Sequence, residues 1–148
     1  MILMKRWRMT QINFYTQLSD PLGFACRLVE MAYRRGKPLL IWLADERELT
    51  AFSNRLWSFD ETSFIPHCRL DALEAADTPV WLTTKLPPSV SYPVLLNLSQ
   101  DFPDEPQRFS RILEVVDKRG AALAAGRERF RTYRLRGYTI EHHDMSDK

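Results

Sequence analysis

The sequence predicts an α/β fold, a single three-layer domain with a largely parallel sheet and helices on both faces. Segments of strand length alternate along the chain with segments of helical periodicity. Residues 38–43 are apolar almost throughout, which is typical of a strand buried on both faces of a parallel sheet. The 148 residues suffice for one hydrophobic core, and two folded domains would be cramped.

The predicted elements begin with a strand at residues 11–16, where β-forming residues alternate. Ser19-Asp20-Pro21 then supplies a helix start. The first helix is predicted over residues 22–35 because its apolar positions recur at spacings of three and four. Asp45 and Glu46 open the second helix. The remaining predictions are a loop from 58 to 79, strands at 79–83, 93–98 and 111–117, a helix at 121–136 and an edge strand at 138–140.

Composition excludes several classes of protein. The chain is 45% hydrophobic and 27% charged, close to the averages of soluble globular proteins. It contains no apolar run of about 18 residues, so we expect no transmembrane helix and no membrane partner. The charges near the start follow the short apolar part, the wrong order for a secretory signal, which predicts a cytoplasmic protein. Cys26 and Cys68 are expected to be reduced thiols.

Motifs of nucleotide-binding enzymes are absent from the sequence. Its five glycines form neither the G-x-G-x-x-G pattern nor a P-loop, which predicts a Rossmann-like sheet without a nucleotide-binding loop. Asp45 and Glu46 follow an apolar strand, where helix capping is favoured over Mg²⁺ binding. His67 and Cys68 are adjacent in an extended segment, so their side chains point apart. We therefore expect no catalytic activity, no metal and no cofactor.

Basic charge is concentrated near the C-terminus. Residues 118–136 carry seven basic side chains and one acid, a net charge of +6 in a chain whose total is +2. On a helix, five of these residues fall within an arc of about 100°: Leu123, Arg127, Phe130, Arg131 and Arg134. This face predicts an anion-binding surface. The alternative is an ordinary amphipathic helix with solvated arginines and core rings.

Several short motifs follow one another over residues 12–138: Asn13-Phe14-Tyr15, Arg34-Arg35-Gly36-Lys37, Asp45-Glu46, Leu56-Trp57, Ser63-Phe64-Ile65-Pro66-His67, residues 114–117 and residues 127–134. In this order and at nearly collinear spacing, they resemble the chi subunit of bacterial DNA polymerase III holoenzyme. The resemblance implies one chi-like domain over residues 9–148. Residues 1–8 precede the usual family start, and are expected to be a disordered extension or a mis-assigned start.

The resemblance also implies a non-catalytic adaptor of the replisome with two protein partners. One surface would bind the acidic C-terminal tail of single-stranded DNA-binding protein, with arginines gripping carboxylates and an aromatic pocket taking the tail's last Phe. The residues predicted for it are Trp57, Arg127, Phe130, Arg131 and Arg134. A second surface at Phe64, Ile65 and Pro66 would dock psi or another clamp-loader component, so that DNA is contacted indirectly.

Direct nucleic-acid binding is the main alternative. The same basic helix would contact phosphates while bases stack on Phe130 or Tyr133. The charge distribution favours the peptide, because the rest of the chain is net acidic and a DNA track usually spreads positive charge along a groove. An acidic peptide and a bare oligonucleotide therefore distinguish the two hypotheses.

Overall fold

The computed structural model describes residues 10–59, 64–88 and 92–146. Within these residues, seven strands form one sheet in which every neighbouring pair is parallel. The strands are β1 (Gln11–Leu18), β2 (Leu39–Trp42), β3 (His67–Arg69), β4 (Val80–Thr83), β5 (Tyr92–Asn97), β6 (Phe109–Asp117) and β7 (Ile140–Asp144). Their order across the sheet is β3-β4-β2-β5-β6-β1-β7.

Three α-helices are present in the described residues and cover both faces of the sheet. They are α1 (Pro21–Arg34), α2 (Glu46–Trp57) and α3 (Gly120–Leu135). Side chains of α1 and α2 share one core with Leu39 and Ile41 of β2. Leu40 and Trp42 of the same strand point the other way, into the core beneath α3. This arrangement confirms the predicted three-layer α/β fold.

The starts of α1 and α2 follow the capping signals in the sequence. The Asp20 carboxylate accepts a hydrogen bond from the Gly23 N–H at 3.2 Å, and Pro21 occupies the first turn of α1. Asp45 accepts from the Glu48 N–H at 2.9 Å and thereby caps α2, as predicted. In contrast, α3 follows Arg119 and has no side-chain cap.

Two sequence predictions at the sheet edges were wrong. The predicted loop at residues 58–79 contains β3 and a short 3₁₀ helix at Leu73–Asp77. A three-residue strand is too short to show periodicity, and β3 forms by pairing with β4. The last strand was predicted at residues 138–140, but β7 runs from Ile140 to Asp144. Its polar sequence resembles a loop because it lies at the sheet edge.

The described part of the chain contains no helix long and apolar enough to cross a membrane. Cys26 and Cys68 are both free thiols. The predicted extension at residues 1–8 and Ser63, the first residue of the Ser63-Phe64-Ile65-Pro66-His67 motif, lie outside the described residues.

Candidate interaction surfaces

A shallow groove of about 390 Å³ lies along the outer side of α3. Its lining residues, which define the α3 groove, are Arg127, Phe130, Arg131, Arg134 and Leu135. The three arginines are exposed, and Leu135 is 80% exposed. Four of the five residues predicted to bind an acidic tail therefore line one groove, since their spacing places them on one helical face.

The arginines of the α3 groove are largely uncommitted. Arg131 pairs with Glu128 at 2.9 Å, and both side chains are about two-thirds exposed. Exposed pairs of this kind contribute only about 0 to 1 kcal/mol, so an incoming carboxylate can compete with Glu128. Arg127 and Arg134 form no ion pair among the described residues. Guanidinium groups free of acids are suited to bidentate binding of carboxylates.

Phe130 forms the apolar floor of the α3 groove. Its ring packs edge-on against Phe14 of β1, with 5.1 Å between ring centroids, and lies 5.9 Å from the ring of His142 on β7. Phe130 is only half-buried. A fixed and partly exposed ring beside guanidinium groups offers a second aromatic side chain an apolar contact next to a carboxylate site.

Trp57 does not belong to the α3 groove, which corrects the prediction that Trp57 and Phe130 share one pocket. Helix α2 packs on the opposite face of the sheet from α3. Trp57 contacts His67 of β3, whereas α3 contacts β6. Four strand spacings separate β3 from β6, about 19 Å. Both residues lie on predicted helices, but the sheet separates them.

Trp57 instead forms an aromatic surface with Phe64. Their ring centroids lie 5.1 Å apart, and the two side chains are 47% and 66% exposed. Large exposed rings in contact are typical anchors of protein interfaces. We call this pair the Trp57–Phe64 surface.

His67 supports the Trp57–Phe64 surface from below. Its ring centroid lies 4.1 Å from that of Trp57. The carbonyl of Ile65 can only accept, so Nδ1–H of His67 donates to it at 2.9 Å, which leaves Nε2 to accept from the Ser53 hydroxyl at 3.1 Å. Burial lowers the pKa of His67 from its usual value. The imidazole is therefore held neutral.

Ile65 is not available as a surface contact, which corrects its assignment beside Phe64. Its side chain is 4% exposed and belongs to the core under α1 and α2. Pro66 is half-buried. Burial of Ile65 fixes the segment to the core while Phe64, the preceding residue, points outward.

Arg129 is a residue that helical periodicity did not single out. It is 4% exposed, and its Nε donates to Glu114 of β6 at 2.9 Å. The second oxygen of Glu114 accepts from Tyr133 at 2.7 Å and from Asn97 at 3.0 Å. This buried pair removes one charge from the basic surface of α3. Glu114 is the lone acid in the apolar segment 112–116, and this was the signal that a buried basic partner existed.

Among the residues that the structure describes, no group of three or more His, Cys, Asp or Glu side chains is arranged to hold a metal ion. His142 and His143 alternate across β7: His142 bonds Thr16 at 2.7 Å, and His143 stacks on Tyr15 at 4.7 Å. The two imidazoles therefore lie on opposite faces of the sheet.

The sequence matches the family model described as DNA polymerase III chi subunit, HolC, over residues 9–141. A DNA polymerase III subunit chi from Pseudomonas aeruginosa is 39% identical over 141 residues, covering 93% of this chain and 98% of that protein. Subunits of the same name from Haemophilus influenzae and Escherichia coli are 31% and 26% identical, covering 78% and 83% of this chain and 81% and 84% of those proteins. The chain therefore belongs to the family of DNA polymerase III chi subunits, which are accessory subunits in DNA replication.

Proposed function

We propose that the chain is a non-catalytic adaptor of the replisome that binds the acidic C-terminal tail of single-stranded DNA-binding protein in the α3 groove. The observation that carries this proposal is the combination of exposed guanidinium groups with the half-buried ring of Phe130. A tail that ends in acids and a terminal Phe has matching chemistry. Its carboxylates meet Arg127, Arg131 and Arg134, while its ring meets Phe130 and Leu135.

The Trp57–Phe64 surface is the proposed site for psi or another clamp-loader component. Phe64 was assigned to this partner from the sequence, and its contact with Trp57 supports moving Trp57 from the tail site to the same surface. The two proposed sites lie on opposite faces of the sheet, so both are accessible at the same time. An adaptor needs this property, because it must hold the tail and the clamp loader together.

The tail peptide itself provides the test of the proposed groove. We expect a dissociation constant near micromolar, about −8 kcal/mol, for the intact peptide. Removal of the last Phe should weaken binding, because it takes away ring burial worth roughly 1.5 to 3 kcal/mol. Isothermal titration calorimetry with both peptides measures this difference. Equal affinity for the two peptides would contradict recognition of the terminal ring.

A single-stranded oligonucleotide serves as the competing ligand. Binding of the oligonucleotide with higher affinity than the peptide, together with its loss in Arg127→Ala, would favour the direct nucleic-acid hypothesis. Salt weakens both complexes, so the comparison must be made at one ionic strength.

A further inference from the structure

A separate cavity of about 600 Å³ opens at the carboxyl ends of the parallel strands. Its walls include the segments that follow β1, β2, β5 and β6, represented by Asp20, Leu43, Ser99 and Arg119. In open parallel α/β sheets, ligands bind in a crevice at this edge. The volume is within the usual range for small-molecule sites. The cavity shares no lining residue with the α3 groove.

The first turns of all three helices border this cavity, but only two of them are capped. Asp20 caps α1 and Asp45 caps α2. No side chain caps α3, so the first backbone N–H groups of α3 near Ala122 have no acceptor of this kind. The N-terminus of a helix attracts anions because its N–H groups and its dipole both favour negative charge.

Three of the four acids that line the cavity are already engaged with neighbouring groups: Asp20, Asp45 and Asp117. Asp20 pairs with Arg55 in addition to capping α1. Asp117 accepts from the backbone N–H of Arg119 at 3.2 Å and from its side chain at 3.4 Å. The exposed Arg47 and Glu48 on α2 contribute one charge of each sign to the rim. These arrangements leave the start of α3 without an anionic partner.

Arg129 provides a second and independent indication of a ligand. Its side chain is 5% exposed and lines the cavity. Nε is bonded to Glu114, whereas the buried Nη1 has no hydrogen-bond partner among the described residues. Ala122 and Arg129 are seven residues apart on one face of α3, and both line the cavity. The cavity therefore connects the side chain of Arg129 with the uncapped turn.

A buried N–H group without a partner is unusual in folded proteins and costs free energy unless it is bonded. We propose that the cavity at the carboxyl edge of the sheet binds a small molecule through a phosphate or carboxylate group, held by Arg129 and by the free N–H groups at the start of α3. Glu114 offsets the charge of Arg129, so hydrogen bonds rather than net charge provide the attraction. We expect millimolar affinity for the anion alone.

Two alanines at the start of α3 provide a matched pair of test variants. Ala122 lines the cavity, whereas its neighbour Ala121 is exposed and does not. Aspartate at either position favours the helix, since acids are stabilising in the first turn. Both variants should therefore fold. Ala122→Asp places a carboxylate in the proposed anion site, while Ala121→Asp adds the same charge outside it.

The measurement is calorimetric titration of the full chain with inorganic phosphate and with citrate. We expect Ala122→Asp to weaken binding about tenfold or more, the range for losing charge-assisted hydrogen bonds, and Ala121→Asp to change it less than twofold. The stronger of the two ligands identifies a phosphate or a carboxylate as the preferred group. Absence of binding for both ligands, or equal losses in the two variants, would overturn the inference and assign Nη1 to a bridging water.

A third variant separates this site from the α3 groove. Arg131→Ala removes a groove guanidinium and leaves every lining residue of the cavity in place. The loss of affinity caused by Ala122→Asp should therefore be the same with and without Arg131→Ala. A loss that disappears in the Arg131→Ala background would place the anion in the groove and refute the cavity site without affecting the proposed tail site.

Discussion

Replacement of Phe64 by alanine should separate partner binding from stability. The side chain is 66% exposed, so about a third of it is buried. Aromatic side chains bury about 150 to 250 Å² when enclosed, so a third is roughly 65 Å². At about 25 cal/mol per Å² this burial contributes about 1.6 kcal/mol, an upper estimate. We therefore expect Phe64→Ala to lower the free energy of unfolding by no more than about 1.6 kcal/mol.

Phe52→Ala is the matched control, because Phe52 is 0% exposed and the substitution is identical. A cavity in the core should cost about 3 to 5 kcal/mol. Urea unfolding followed by tryptophan fluorescence measures both values. Phe64→Ala should also weaken capture of psi or another clamp-loader component and leave tail-peptide affinity unchanged. A cost as large as that of Phe52→Ala, or loss of the tail alone, would refute the assignment of Phe64.

Three further predictions concern other residues. Arg127→Ala should weaken tail-peptide binding by about 1 to 3 kcal/mol without a change in unfolding free energy, and higher salt should weaken the wild-type complex; calorimetry and melting curves test both. The pKa of His67 is lowered by burial, so stability should be full above its unfolded pKa near 6.5 and decline as pH falls from there toward the lower folded pKa. His67→Gln should remove that part of the pH dependence in unfolding measurements between pH 5 and 7.5. Asp45 caps α2, so Asp45→Asn should leave a nucleotide hydrolysis assay at background, the level we also expect for the wild type.

The layers of the fold were predictable from the sequence because buried segments and helix starts have recognisable residue patterns. The apolar run at β2 and the capping residues Asp20 and Asp45 each correspond to an observed feature. The α3 groove was also predictable, since its residues lie on one helix and local geometry alone brings them together. An element that forms mainly by pairing with a neighbouring strand, such as β3, shows no comparable pattern in the sequence.

Positions that depend on contacts between distant segments were not predictable from periodicity. Trp57 occupies a helix position suited to an aromatic ring, but strand order decides that its helix covers the face opposite α3. From the sequence alone, Arg129 resembles the other surface charges of α3. Its burial depends on the ion pair with Glu114, which lies on β6. In both cases the sequence specifies the chemistry of the side chain and the topology specifies its surroundings.

Chemical-shift mapping of the bound tail peptide distinguishes the α3 groove from the Trp57–Phe64 surface. Titration of isotope-labelled protein with the peptide should shift the NMR signals of Arg127, Phe130, Arg131 and Arg134. The chemical shift of the Trp57 indole N–H should not change. That result would support two separate surfaces on opposite faces of the sheet. Chemical-shift changes centred on Trp57 and Phe64, with the signals of α3 unaffected, would contradict tail binding in the α3 groove.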